Sequence, residues 1–272
     1  PPEQFAKLQK ELPGEVYITR TLATYSYELN NKKAPFDNVN IRKALNLSLD
    51  RNVITDKVLG QGQTPTYVFT PTYIEEGHLI QQPAYSKEPM AQRNEEAIKL
   101  LEEAGYSKAN PLKFTILYNT NENHKKVAIA AASMWKANTK GLIDVKLENQ
   151  EWKTYIDSRR AGRYDAARAG WNADYNQATT FGNYFLSNSS NNTAKYANPE
   201  YDKAIAESYV ATDAEGRAKA YAKAEEILAK DFGIVPIFNY VNPRLVKPYV
   251  KGYSGKDPQD HIYLRNLYII KH

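Results

Sequence analysis

The spacing of apolar positions changes several times along the 272 residues. Phe5 to Leu12 reads as the end of a helix, stopped by Pro13-Gly14. EVYITR (15–20) and ATYSYELN (23–30) are rich in Tyr and β-branched residues, so both are expected to be strands. Asp37 is placed to cap a helix with Ile41, Ala44 and Leu45 on one face. Asp50 is placed to cap another through Val53, Ile54 and Val58, ending at Gly60. The stretch 60–89 is broken by four prolines and shows no period. Alternation then becomes regular. A helix burying Ala97, Ile98, Leu101 and Ala104 ends at Gly105, strand KFTILYN (113–119) follows, and the next helix turns Val127, Ala130, Ala131 and Met134 inward. LIDVKLE (142–148) and YDAARAGW (164–171) are strands around a short helix at 151–160. Beyond the polar loop NSSNNT (188–193), helices are expected at about 201–210 and 213–230, the latter burying Tyr221, Ala224 and Leu228. IVPIFNY (234–240) is a final core strand, and LYII (267–270) closes a turn-rich tail. Strand and helix alternating at these lengths predict an α/β fold with a mostly covered sheet.

Composition narrows the function classes. The longest apolar patch, Val127 to Ala132, is far short of the ~18 residues needed to span a bilayer. The opening PPEQFAKLQKELPG has neither the basic start nor the apolar middle of a secretory signal. Absence of cysteine removes disulfides, thiolate catalysis and Cys-based zinc sites. The 36 basic and 31 acidic residues are interspersed, whereas a nucleic-acid binder gathers its cations in a stripe, so no nucleic-acid partner is expected. Tyr is unusually abundant, 21 against 8 Phe, which suits interfaces and ligand walls that are apolar on one side and wet on the other.

No GxSxG, HExxH, P-loop or GxGxxG is present, and the four histidines are too far apart for a helical metal pair. No cofactor or metal is implied. A carbohydrate-active or peptidase enzyme is the rival from another class, with nothing in the chain to favour it.

Three constellations remain. On EWKTYIDSRR (151–160), Trp152, Tyr155, Ile156 and Arg159 share one helix face. Arg159 either complements the helix dipole or grips an anion beside the Trp. His124 opens a helix with Lys125 and Lys126, where cations need solvation or an anion. In ARAGWNADYN (167–176), strand geometry points Arg168, Gly170 and Asn172 one way and Trp171 the other, with Asp174 at the end. Arg168 and Asp174 form either an internal ion pair or parts of a ligand site, and Gly170 lets another backbone approach. One carboxylate, several cations and aromatic walls fit a zwitterionic peptide better than a sugar or nucleotide.

Over its whole length the chain resembles the C-terminal half of periplasmic oligopeptide-binding proteins, the solute receptors of ABC peptide importers. The resemblance rests on PFDNVNIRKALNLSLDRNVI (35–54), RNEEAIKLLEEAGY (93–106), NQEWKTYIDSRRAGRYDAARAGWNADYN (149–176), IVPIFNYVNPRLVKPYVKGYSGKDP (234–258) and LYIIKH (267–272). It implies a periplasmic, non-enzymatic receptor with a type II periplasmic-binding fold, closing two lobes over an extended peptide. Murein peptides are the alternative ligand within the family. Asp174 matches the acid that holds the peptide amine, while Arg168, Arg159 and His124 match cations for its carboxylate at different peptide lengths. Trp152, Trp171, Tyr25 and Tyr240 match wall positions. Three residues depart from the pattern: Leu59 stands for a lysine, Ser26 for an aromatic and Asn172 for a cysteine. The segment 136–145 also looks about two residues longer than usual. The resemblance further implies that 23–235 is the second lobe, with 1–22 and 236–272 belonging to the first. The partners would be a short peptide, the N-terminal half of the same protein and a membrane permease.

Overall fold

In a computed structural model of the chain, which describes residues 2–271, the two early strand-like runs join. Thr21 and Leu22 continue in extended form, so β1 runs unbroken over Val16–Leu29. It is the centre of a six-stranded sheet, flanked by β5 (Ala166–Asn172) and β6 (Ile234–Leu245), both antiparallel to it. Beyond β5 come β3 (Leu112–Asn119) and β4 (Ile143–Gln150), parallel to one another, and the short β2 (Thr64–Pro65) lies outside β6. The pairing of β1 with β6 slips by two residues between Arg20, opposite Val241, and Thr24, opposite Asn239, and by one between Tyr25 and Ser26.

Alternation along β1 assigns the two faces. Tyr25, Tyr27 and Leu29 enter a core shared with α2 (Val39–Leu47), α3 (Met90–Glu103) and α4 (Glu122–Asn138), built around the fully buried Trp135. Leu22, on the opposite face, joins Phe69, Phe181, Tyr184 and Tyr221 in a second core. This is roofed by α7 (Pro199–Val210) and α8 (Ala214–Lys230), with the single turn α6 (Thr179–Gly182) inside it. A short helix, α5 (Trp152–Arg160), covers Leu117 and Ala167 on that same second face. The N-terminal α1 (Pro2–Glu11) and the ribbon β7 (Val250–Lys251)/β8 (Tyr268–Ile269) complete the chain.

Local chemistry explains most boundaries. The cap of α2 is Asn38 rather than the expected Asp37: its side chain accepts from the Asn40 amide at 2.9 Å. Asp50 does cap the turn ending at Gly60, accepting from the Asn52 and Val53 amides at 3.0 and 3.3 Å. Along α4 the buried residues are Val127 and Ala131, as expected, with Ala128 and Trp135 in place of Ala130 and Met134; Trp135 donates to the Leu45 carbonyl of α2 at 2.9 Å. The irregular 60–89 stretch is held by buried polar groups. Thr70 binds the Glu225 carboxylate of α8 through its amide and hydroxyl at 3.1 and 2.7 Å, and Arg51 donates to the Thr66 and Pro236 carbonyls at 3.0 and 2.7 Å. Among the described residues no helix is long and apolar enough to cross a membrane.

Candidate functional site: an open strand edge and an unpaired guanidinium

A cavity of about 610 Å³ lies at the C-terminal end of β5, where His124, Trp152, Arg168, Gly170, Asn172 and Tyr240 converge. Six elements supply it: the first turn of α4, the first turn of α5, β1 at Thr21 to Ala23, β5, β6 and the loop after β7, whose Pro258, Gln259 and Asp260 form the floor. That loop is seated by the Leu22 amide donating to the Pro258 carbonyl at 2.8 Å, and by Asp260 holding Asn242 at 2.6 Å and Arg244.

The edge of β5 is the main-chain feature. β5 pairs with β1 along its whole length, but β3 pairs with it only at Ala166 and Ala167. From Arg168 to Asn172 the second edge therefore has no strand beside it among the described residues. Antiparallel pairing turns the main-chain groups of alternate residues toward the partner and of the others away. Ala173 donates its amide to Leu22 of β1 at 2.8 Å, so Ala169 and Trp171 face β1, while Arg168, Gly170 and Asn172 face the open edge. The Arg168 carbonyl there accepts from the Tyr155 hydroxyl.

Arg168 is the electrostatic feature. It shares the face of Tyr27 and Tyr25, with its guanidinium 5.1 Å from the Tyr25 ring centre. Its Nη2 donates to the Tyr240 hydroxyl at 2.5 Å, and its Nε is buried without a partner. No carboxylate pairs with it among the described residues. By contrast Arg159 has Glu28 at 2.8 Å, Arg217 has Glu76 at 2.7 Å and Arg244 has Asp260. A desolvated guanidinium with one neutral acceptor is short of partners and suited to an anion. Gly170 makes room beside it, since a Cβ there would sit 3.1 Å from Arg168 Nη2 and 3.3 Å from the Tyr240 hydroxyl.

Asp174 lies just past β5 and is exposed. It does not pair with Arg168: its own partner is the Thr180 hydroxyl, 3.4 Å from Oδ2. His124 is placed at the cavity by the Asn121 cap, which accepts from its amide at 3.2 Å. Its Nδ1 is buried without a partner, and burial, reinforced by Arg168, pushes its pKa down to about 3. Burial thus favours the uncharged imidazole at neutral pH, which suits a hydrogen-bonding group better than a standing cation.

Three of the expected site residues lie away from this cavity. Arg159 is not at the cavity. The register places Ala167 opposite Glu28, on the face away from Arg168, and Arg159 is buried there against Glu28, Thr193 and Tyr184. Trp171 also points away, packing on Tyr184 and donating to the Thr180 hydroxyl at 3.2 Å. Tyr25 is core, stacked on Phe238 at 4.7 Å behind Arg168. Trp152 and Tyr240 do line the cavity, and Trp152 is 54% exposed. Of the departures noted in the sequence, Leu59 and Ser26 are buried and only Asn172 lines the cavity. The sequence reading missed Glu28, although a lone acid inside an apolar strand signals a buried partner. It also missed the floor residues, for which the polar tail offers no signal.

Residues 1–193 match the model of the bacterial extracellular solute-binding proteins, family 5 Middle. The chain belongs to this family. The periplasmic oligopeptide-binding protein OppA of Haemophilus influenzae is 97% identical over 272 residues, the whole of this chain and 50% of that protein. OppA of Salmonella typhimurium is 54% identical with the same coverage, and the murein peptide-binding protein MppA of Escherichia coli is 44% identical. A crystal structure of H. influenzae OppA in complex with RPPGFSPFR superposes with a TM-score of 0.93 at 96% identity, covering 100% of this chain and 53% of that one. The unliganded open form of MppA gives 0.89 at 43% identity, covering 52% of that chain. These family 5 relatives are solute-binding proteins, and this chain spans about half their length.

Proposed function

We propose that the chain is the C-terminal half of a periplasmic receptor that delivers peptides to an ABC importer, and that it is not an enzyme. The carrying observation is the conjunction at β5: an open strand edge, a carboxylate-free guanidinium at one end and an exposed carboxylate at the other. A peptide added to the edge pairs its main chain with Gly170 and Asn172, gives its amine to Asp174 and its carboxylate to Arg168 or further along. Affinity then comes from groups every peptide has, so side-chain preference is weak. A neutral His124 serves as a hydrogen-bond partner there, and Trp152, Tyr240 and Asn172 form the walls. The relative solved in complex with the nine-residue RPPGFSPFR supports a ligand range that reaches beyond short peptides.

We assign 23–235 to one lobe, and 1–22 with 236–272 to the other, which the N-terminal half of the protein completes. Two observations support this. The β1–β6 register slips at Arg20/Thr24, beside the first boundary. Apolar residues of the flanks, Ile18, Leu245, Leu264 and Ile269, are exposed and await cover. Titration calorimetry on the full-length protein containing this chain tests the reading, with free and end-blocked peptides of three to nine residues and a murein tripeptide in competition. Binding of free peptides across lengths is expected. Binding of the murein tripeptide alone, or of none, would refute it.

A further inference from the structure

Arg159 has surroundings unlike those of a ligand group. Its guanidinium is buried, and its Nε has no partner, as in Arg168. Its Nη2, however, is held by protein atoms, Glu28 at 2.8 Å, the Thr193 hydroxyl at 2.9 Å and the Tyr184 hydroxyl at 3.2 Å, and the carboxylate among them is what Arg168 lacks. Glu28, buried in β1, is in turn bound by the Tyr184 hydroxyl at 2.6 Å and by that of Thr193. The rest of α5 leads from this pair to the cavity. One turn back, the Tyr155 ring lies 5.7 Å from the guanidinium, and its hydroxyl holds the Arg168 carbonyl. Another turn back, Trp152 stacks on Tyr155 at 5.9 Å and reaches the cavity. The helix has nine residues, so a tie at its last turn governs the placement of its first.

We infer that Arg159 is a positioning residue: its pair with Glu28 clamps α5 to the sheet, setting Tyr155 against the Arg168 carbonyl and Trp152 over the cavity, without receiving a ligand carboxylate. The meaning of the cavity rests on the peptide-receptor reading, while the clamp itself does not. Removing either partner strands the other in a dry site, and α5 must shift to admit water. Trp152, held by Tyr155, moves with it.

The test has two readouts in the full-length protein. Acrylamide quenching of Trp152, taken as the difference from a Trp152→Phe background, reads the helix without any peptide. Affinity against peptide length reads the site. Arg159→Gln and Glu28→Gln are each expected to change the Trp152 quenching and to weaken every peptide length by a similar factor, about tenfold or ~1.4 kcal/mol, with partial recovery in Arg159→Lys. The double replacement Glu28→Gln with Arg159→Met leaves no buried charge and keeps the amide for Tyr184 and Thr193. It is expected to fold and bind within about threefold of the parent, or ~0.65 kcal/mol, which secures the test if the single variants do not fold. Loss confined to one peptide length, with Glu28→Gln silent, would overturn the inference and make Arg159 a carboxylate receptor. A parent that binds no peptide would sink the receptor reading, and the quenching would still decide the clamp.

Discussion

Two arginines of this chain provide a paired perturbation with opposite expected outcomes. Arg168→Met removes a guanidinium whose one side-chain acceptor is the half-buried Tyr240 hydroxyl, which water can satisfy from the cavity. The lost hydrogen bond, ~1.5–3 kcal/mol, is offset by relief of the desolvated charge. Stability is therefore expected to change by no more than ~1 kcal/mol. Arg159→Met instead leaves Glu28 buried without its cation, at a cost of ~3–5 kcal/mol, or a drop in Tm of ~6–20 °C for a chain of this size. Affinity runs the other way for Arg168. A carboxylate bound by two charge-assisted hydrogen bonds is worth ~3–6 kcal/mol, so Arg168→Met is expected to weaken the peptide ending there by about 10²–10⁴-fold. Urea denaturation of both variants and calorimetry with free and C-terminally amidated peptides read the two effects. If Arg168→Met destabilised the protein as much as Arg159→Met and left affinity unchanged, the anion-receptor assignment would be refuted.

Other outcomes follow from the same geometry. His124 is depressed by burial and by Arg168, so its imidazole NMR resonances should not titrate between pH 8 and about pH 4, against the usual midpoint near 6.5. Since the unfolded chain binds that proton and the folded one does not, this residue's contribution to stability is full above ~pH 6.5. It falls progressively as the pH drops toward about 3; a His124→Gln variant with unchanged acid sensitivity would contradict this. Gly170→Ala places a methyl 3.1 Å from Arg168 Nη2 and 3.3 Å from the Tyr240 hydroxyl. It should fold within ~1 kcal/mol of the parent yet bind short peptides about tenfold more weakly, ~1.4 kcal/mol, and equal affinity would show that the site has room to spare.

What the sequence made legible follows from the range of the forces involved. Strand alternation is local, so ARAGWN alone separates Arg168, Gly170 and Asn172 from Trp171, as the sheet does. The surroundings of Arg159 are not legible locally, because its face depends on the alignment of β5 with β1, which sets Ala167 opposite Glu28 from across the chain. Its helix stripe shows that it is buried, not what it is buried against. Likewise the break expected between 20 and 23 is bridged because β6 pairs on both sides of it. The cavity floor at 258–260 could not be read, since its placement rests on polar ties, Leu22 to Pro258 and Asp260 to Asn242 and Arg244, rather than on an apolar pattern.

The central claim is that Asp174 and the basic end of β5 hold opposite ends of one extended peptide. Calorimetry of Asp174→Ala in the full-length protein, with a free tripeptide and its N-acetylated form, measures it most directly. The account expects the substitution to weaken the free peptide by ~1.5–3 kcal/mol and to leave the acetylated one almost unchanged. Equal losses for both ligands would contradict it.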